Sequence, residues 1–186
     1  MKMNIVLTGL KHCGKSTQAA MLAEKLGWKT VDADRAIERA FAASTGESLS
    51  CRDIYKSRGE EFFRKLEVGT ITAFASGDNV ENTVYSLGGG AVGNIFLAPE
   101  VLKKIGKVVY LQAEPLVLYS RIADEGLPPF LTSFSDPFAG FKCLCAERET
   151  ALLAAADAVF HLDMQLPARE NNDNLLEFLR SEFNLK

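Results

Sequence analysis

Gly9-Leu10-Lys11-His12-Cys13-Gly14-Lys15-Ser16-Thr17 is the stretch on which the reading of this chain turns. Two glycines flank four residues and are followed by Lys and Ser, which is the Walker A spacing. The flanks have the matching periods. Asn4–Thr8 is a β-branched apolar run, so a strand leads in. Lys15–Leu26 carries Ala19, Leu22, Ala23 and Leu26 at helical spacing, and Gly27 closes it, so a helix leads out. Such a strand–loop–helix wraps successive backbone N–H groups round a β-phosphate, and the helix N-terminus adds positive potential. Lys11, His12, Cys13, Gly14, Lys15, Ser16 and Thr17 are therefore the expected ATP-binding residues. Lys15 is expected to reach the β- and γ-phosphates as a catalytic cation, and the Ser16 hydroxyl to ligate Mg²⁺. The competing reading, a Gly-rich turn with a stray Lys-Ser, does not explain why motif and flanks agree.

Outward from this loop, strand-type runs alternate with helical ones, the signature of a parallel sheet with crossover helices. Thr30-Val31-Asp32 reads as a second strand, and Asp34 as the cap of a helix through Phe41. Ser50-x-x-Asp53 resembles a capping pair, and Glu60 to Ala75 a long amphipathic helix. Thr83–Leu87 and Lys107–Gln112 are further strands, and Pro115–Ala123 is helical. Asp124–Pro137 holds Gly126, Pro128, Pro129 and Pro137, which predicts an irregular loop. Phe138–Ala156 is a helix, Ala158–Leu162 a last strand and Asn174–Phe183 a closing helix. The expected fold is α/β: one doubly wound, five-stranded parallel sheet with helices on both faces, of P-loop kinase type, in a single domain spanning 1–186.

Composition agrees. The chain has 186 residues, 47% hydrophobic and 24% charged, an ordinary globular balance. A net charge of −3 argues against a nucleic-acid surface. No apolar run approaches the ~18 residues of a membrane helix, and the N-terminus reads as a strand rather than a signal peptide. A cytoplasmic monomer is expected. Cysteines 13, 51, 143 and 145 form neither a disulfide framework nor a zinc spacing, and the two histidines are scattered. The chain is short for a GTPase or motor ATPase and lacks a guanine-reading Asn-Lys-x-Asp, which leaves kinases of small molecules.

The acceptor site is sought at strand ends. Asp32 and Asp34 follow the second strand. Asp32 suits Mg²⁺, and Asp34 suits a hydrogen bond from an attacking hydroxyl, as a catalytic group. Either could instead be a helix cap with a solvated neighbour. Arg64, in Gly59-Glu60-Glu61-Phe62-Phe63-Arg64, can fork onto a substrate carboxylate or can be an ordinary surface arginine. Gly88-Gly89-Gly90 after a strand lets backbone touch a small polar molecule, or is a flexible turn.

Walker A near the start, Val-Asp-x-Asp, Gly-Glu-x-x-Phe-Arg, Ser-x-Gly-Gly-Gly-Ala and a late Glu-Arg helix occur here in the order found in shikimate kinases. The resemblance covers about residues 4–165. It implies that Asp34 contacts the acceptor hydroxyl of shikimate and that Arg64 and Arg148 hold its carboxylate. It implies that Gly88, Gly89 and Gly90 line the same pocket, that Asp32 lies by the magnesium and that Arg121 lies near the adenine. It further implies that Tyr55 and Phe63 wall the pocket and that Glu67 supports an arginine there. The acceptor-binding helical region would be about 33–66 and the lid about 124–137, closing over ATP and shikimate.

The chain departs from the family in its lid, where Arg-Pro-Leu-Leu is replaced by Pro128-Pro129-Phe130-Leu131. A lost arginine contact to the transferring phosphate costs roughly 10³–10⁵ in rate. Lys11 and Lys142 are candidate substitutes. After Arg148 the chain reads Glu149-Thr150-Ala151-Leu152 where the family tends to have x-Pro-Leu-Tyr, and His12 stands where many members have Gly. The expected activity is phosphorylation of shikimate to shikimate 3-phosphate in aromatic amino-acid biosynthesis. The alternatives are another small P-loop kinase, acting on gluconate or a nucleotide, and a non-catalytic nucleotide- or shikimate-binding paralogue.

Overall fold

The structure is a computed structural model and describes residues 3–76, 81–127 and 129–185. Five strands, β1 (Ile5–Thr8), β2 (Lys29–Asp32), β3 (Thr83–Ser86), β4 (Lys107–Gln112) and β5 (Ala158–His161), form one sheet in the order β2-β3-β1-β4-β5. Every pairing is parallel. Parallel neighbours need a crossover, and helices supply it. They are α1 (Lys15–Leu26), α2 (Ala33–Thr45), α3 (Cys51–Arg58), α4 (Glu60–Ser76), α5 (Pro99–Ile105), α6 (Pro115–Asp124), α7 (Pro129–Thr132), α8 (Pro137–Ala155) and α9 (Ala168–Phe183).

All four residues of β1 are buried, as expected of a central strand covered on both faces. Its side chains alternate between two cores. Ile5 and Leu7 pack with Leu22, Leu111, Leu118, Leu175 and Leu179. Val6 packs with Ile71, Tyr85, Leu102 and Val108. Helices therefore cover both faces of the sheet, as expected for a doubly wound fold.

Local chemistry sets the boundaries. Asp32, rather than Asp34, is the N-cap of α2: its Oδ1 accepts from Arg35 N at 3.2 Å, and the helix runs on to Gly46. This corrects the reading of Asp34 as the cap and frees its carboxylate. Ser50 caps α3 as the spacing predicts, accepting from Asp53 N at 3.2 Å and donating to Asp53 Oδ2 at 2.6 Å. The 124–137 stretch is not wholly irregular, because it holds α7, and Pro137 opens α8 at N1. Pro128, which stands at the lid-arginine position, lies outside the described residues. α9 begins at Ala168, earlier than its apolar stripe suggests, because Asn171 and Asn172 are buried in its first turns.

The ends of β2, β3 and β1 lie side by side, with Asp32 opposite Ser86 and Ser86 opposite Leu7. The crevice at these C-terminal ends is where an open parallel sheet binds ligands. Gly9 seats the loop there. At its φ of 150° a Cβ would stand 2.6 Å from the Leu111 carbonyl of β4, so no larger residue fits. Away from the crevice, a Cβ at Gly106 would fall against the Asn4 carbonyl where β4 begins beside β1. Gly106→Ala is expected to cost about 1–3 kcal/mol of stability in denaturant unfolding. Unchanged stability would show that the strand entry yields to a methyl group.

Candidate active site

A cavity of about 240 Å³ opens at the strand ends. The β1–α1 loop contributes Lys11, His12 and Gly14, and the first turn of α1 contributes Lys15, Ser16 and Thr17. The end of β2 and the start of α2 contribute Asp32 and Asp34, and the end of β3 contributes Ser86, Leu87, Gly88 and Gly89. One concave space thus gathers the phosphate loop, both aspartates and two of the three glycines. Cys13 is buried beneath the loop, outside this lining.

Lys15 is only 8% exposed, and its Nζ folds back to donate to Leu10 O at 2.8 Å. This bond holds the cation over the loop whose N–H groups face the cavity. Ser16 Oγ donates to Asp32 Oδ2 at 2.7 Å and lies 3.3 Å from Ser86 Oγ. A hydroxyl, a carboxylate and a second hydroxyl at one point form an all-oxygen set. That set suits Mg²⁺, which takes one or two protein oxygens and completes its shell with water and phosphate. Among the described residues no group of three His, Cys, Asp or Glu could hold a metal alone. The sequence marks Ser86 only as the first residue of Ser-x-Gly-Gly-Gly-Ala, two places before the glycine run.

His12 adopts a φ of 65° at the turn of the loop. Its carbonyl accepts from Arg121 Nη1 at 3.0 Å, and its Nδ1 lies 3.5 Å from Glu125 Oε1. Arg121, on α6, is thus tied to the back of the phosphate loop. Burial holds the His12 imidazole below its ordinary pKa, with Lys11, Lys15 and Arg121 adding to the effect and Glu125 opposing it.

Asp34 faces the other end of the cavity. Its carboxyl is held above the usual carboxylate range, first by the thinned hydration of its surroundings and next by the charge of Asp32, with Lys15 pulling the opposite way. A Cβ on Gly88 would stand 2.9 Å from Asp34 Oδ1 and 3.4 Å from Glu67 Oε1, so only glycine lets this strand end approach both carboxylates. On a Gly90 Cβ, the nearest atom would be Arg64 Nη1 at 3.0 Å. Arg64 Nη1 donates to Glu67 Oε2 at 3.2 Å and to Gly90 O at 3.5 Å. The Tyr55 and Phe63 rings meet edge to face at 5.8 Å beside this arginine's helix. Arg64 and Gly90 thus adjoin the cavity without lining it.

Arg148 stands apart. It is exposed on α8, and no hydrogen bond or ion pair ties it to a described residue. Its neighbour Glu149 is anchored instead, accepting from Tyr110 Oη at 3.3 Å and from Gln112 Nε2. The four cysteines are free thiols. Burial pushes the Cys51 thiol up to about 12 and the Cys145 thiol up to about 11, so neither is a nucleophile near neutral pH. No helix among the described residues is long and apolar enough to cross a membrane.

Comparison with known proteins follows the same outline. The chain is similar to a shikimate kinase of Symbiobacterium thermophilum, with 39% identity over 156 residues and 83% of each chain covered. In three dimensions it resembles the crystal structure of shikimate kinase from Bacteroides thetaiotaomicron, with a TM-score of 0.75, 28% identity and 97% and 99% of the two chains covered. It also resembles the Acinetobacter baumannii shikimate kinase solved in complex with shikimate, with a TM-score of 0.78, 28% identity and 96% and 93% covered. A family model described as shikimate kinase matches residues 11–180, nearly the whole phosphate loop and all five strands but the first. A match of that extent, with identity at this level over most of both chains, makes this chain a member of the shikimate kinase family.

Proposed function

We propose that the chain transfers the γ-phosphoryl group of ATP to a hydroxyl of shikimate, giving ADP and shikimate 3-phosphate. One observation carries the reading. The phosphate loop and the Asp34–Gly88 corner share one cavity, so donor and acceptor can meet without a rearrangement of the sheet. The relative solved with shikimate supports the same acceptor.

Phosphoryl transfer asks the protein mainly to position groups and offset charge. Backbone N–H groups of residues 11–17 cradle the phosphates, and Lys15 is the cation within reach of their β- and γ-oxygens. Ser16 and Asp32 would hold Mg²⁺, which when bound would supply positive charge against those oxygens. Asp34 accepts a hydrogen bond from the attacking hydroxyl and orients it. Its raised pKa brings the carboxylate nearer to a useful general base. Arg64 neutralises the substrate carboxylate, joined by Arg148 as the 124–137 segment closes over the site. Arg121 flanks the adenine. Residues 1–186 act as one kinase domain with its acceptor region at about 33–66, working as a cytoplasmic monomer. An acidic chain with a net charge of −3 has no call for nucleic acid.

Purified protein with ATP, Mg²⁺ and shikimate is expected to release ADP well above a no-acceptor control and a gluconate control. Silence with shikimate, ATP binding being intact, would overturn the acceptor. Asp34→Asn is expected to lower kcat by about 10²–10⁴ and to leave ATP affinity within about twofold. Normal turnover would refute the role of Asp34. The same variant tests the electrostatics. A carboxyl whose folded pKa is raised loses stability as pH rises through that pKa. Asp34→Asn should therefore melt about 1–3 °C above the wild type at pH 7, the gap closing toward pH 4. A lower Tm at pH 7 would contradict the raised pKa.

A further inference from the structure

Asn94 lies in the loop between β3 and α5, next to Ile95, which is 89% exposed. Asn94 itself is 3% exposed. A buried side-chain amide must find partners for both of its ends, and this one finds three. Its Nδ2 donates to Glu67 Oε2 at 2.9 Å and to the Arg64 carbonyl at 2.9 Å. Its Oδ1 accepts from Phe96 N at 3.1 Å. The two ends of the amide face groups of opposite kind, so a flipped side chain would set acceptor against acceptor and is excluded.

The consequence lies at Arg64. Glu67 is 2% exposed, and a carboxylate this deep is tolerable only when its oxygens are bonded. Oε2 receives two of those bonds, from Arg64 Nη1 and from Asn94 Nδ2. Asn94 fixes where that oxygen stands, and the oxygen fixes where Nη1 stands. Asn94 also grips the backbone of Arg64 itself. The guanidinium is thus held at Nη1 by Glu67 and by Gly90 O and faces Glu60 Oε1 at 3.6 Å from Nε, while among the described residues Nη2 makes no hydrogen bond. An arginine held at Nη1 and Nε presents Nη2, pre-oriented, to a carboxylate. Asn94 further ties the loop that follows the Gly88–Gly90 run to the helix carrying Arg64.

We propose that Asn94 is a positioning residue for acceptor binding: through Glu67 it sets the orientation of Arg64 toward the carboxylate of the substrate. The inference rests on the reading of Arg64 as the partner of that carboxylate, and the test separates the two. Shikimate KM, ATP KM and kcat are measured for wild type, Arg64→Ala, Asn94→Asp, Asn94→Ala and the double variant Arg64→Ala with Asn94→Asp. Asn94→Asp keeps the volume and the acceptor for Phe96 N, and loses only the donor. Leaving a buried oxygen without its donor corresponds to a rise of about tenfold in shikimate KM. Both Asn94 variants are expected to show that rise, with kcat and ATP KM within about twofold, because the lost contact is remote from the reacting hydroxyl.

The pH dependence gives a signature that loosened packing would not. In Asn94→Asp two buried carboxyls face each other, with Asp34 across Gly88 adding negative charge and Arg64 opposing it, so one of the two takes up a proton well above the usual carboxylate range. The shared proton restores a donor to Glu67. The excess in shikimate KM over the wild type should therefore shrink as pH falls from 8 to 6 in Asn94→Asp and stay constant in Asn94→Ala. In the Arg64→Ala background, Asn94→Asp should add little. If Arg64→Ala raises shikimate KM and the Asn94 variants do not, the role of Asn94 is overturned and that of Arg64 stands. A full further rise in the double variant, or loss of cooperative melting in both single Asn94 variants, would also overturn it. If Arg64→Ala leaves shikimate KM unchanged, the reading of Arg64 falls and takes the role of Asn94 with it.

Discussion

The seat of the phosphate loop depends on one close approach. β1 and β4 run parallel in register, Thr8 opposite Tyr110, and the chain then turns sharply away over the Leu111 carbonyl. Only a residue without a side chain passes there, and Gly9 is that residue. Because the turn is this tight, α1 begins at Lys15 with its first N–H groups aimed into the crevice. Lys15 and Ser16 are then carried to the strand ends by helix geometry alone. Had the loop been displaced outward, the Ser16–Asp32 bond of 2.7 Å that joins α1 to β2 could not form.

The same crevice concentrates charge of both signs. Lys11 and Lys15 enter from the loop, and Asp32 and Asp34 from the end of β2. Separate tasks follow from separate surroundings. Asp32 is engaged by the Ser16 hydroxyl and the Arg35 N–H, whereas among the described residues the Asp34 carboxylate makes no hydrogen bond and feels the charge of Asp32. The engaged carboxylate of Asp32 suits metal holding, and the raised pKa of Asp34 suits acid–base work. On the acceptor side the glycine run lets backbone approach Asp34, Glu67 and Arg64 closely, and buried Asn94 bonds Glu67.

Much of this is legible in the residues. The phosphate loop and the five strands follow from spacing and period, and Lys15, Ser16, Asp32, Asp34, Gly88 and Gly89 from their places just after strands, because each of these signals is local in sequence. What escaped was decided by tertiary contact. The cap of α2 is Asp32, since its carboxylate is placed by the strand before it. The first turns of α9 carry Asn171 and Asn172, polar residues that break the apolar stripe yet are buried: Asn172 Nδ2 bonds Gln18 O and Oε1 of α1. Asn94 carries no motif, and Ser86 opens Ser-x-Gly-Gly-Gly-Ala with nothing in the sequence to show what its hydroxyl meets. Their partners lie far away along the chain, at Ser16 and at Arg64 and Glu67.

If donor and acceptor share this crevice, with Asp34 and Arg64 orienting the acceptor, a crystal structure of the protein with ADP, Mg²⁺ and shikimate will place the ADP β-phosphate inside the loop of residues 11–17, the shikimate carboxylate about 3 Å from Arg64, and a ring hydroxyl at the same distance from Asp34. Shikimate bound elsewhere, or turned so that its carboxylate meets Asp34 and its hydroxyls meet Arg64, would contradict it.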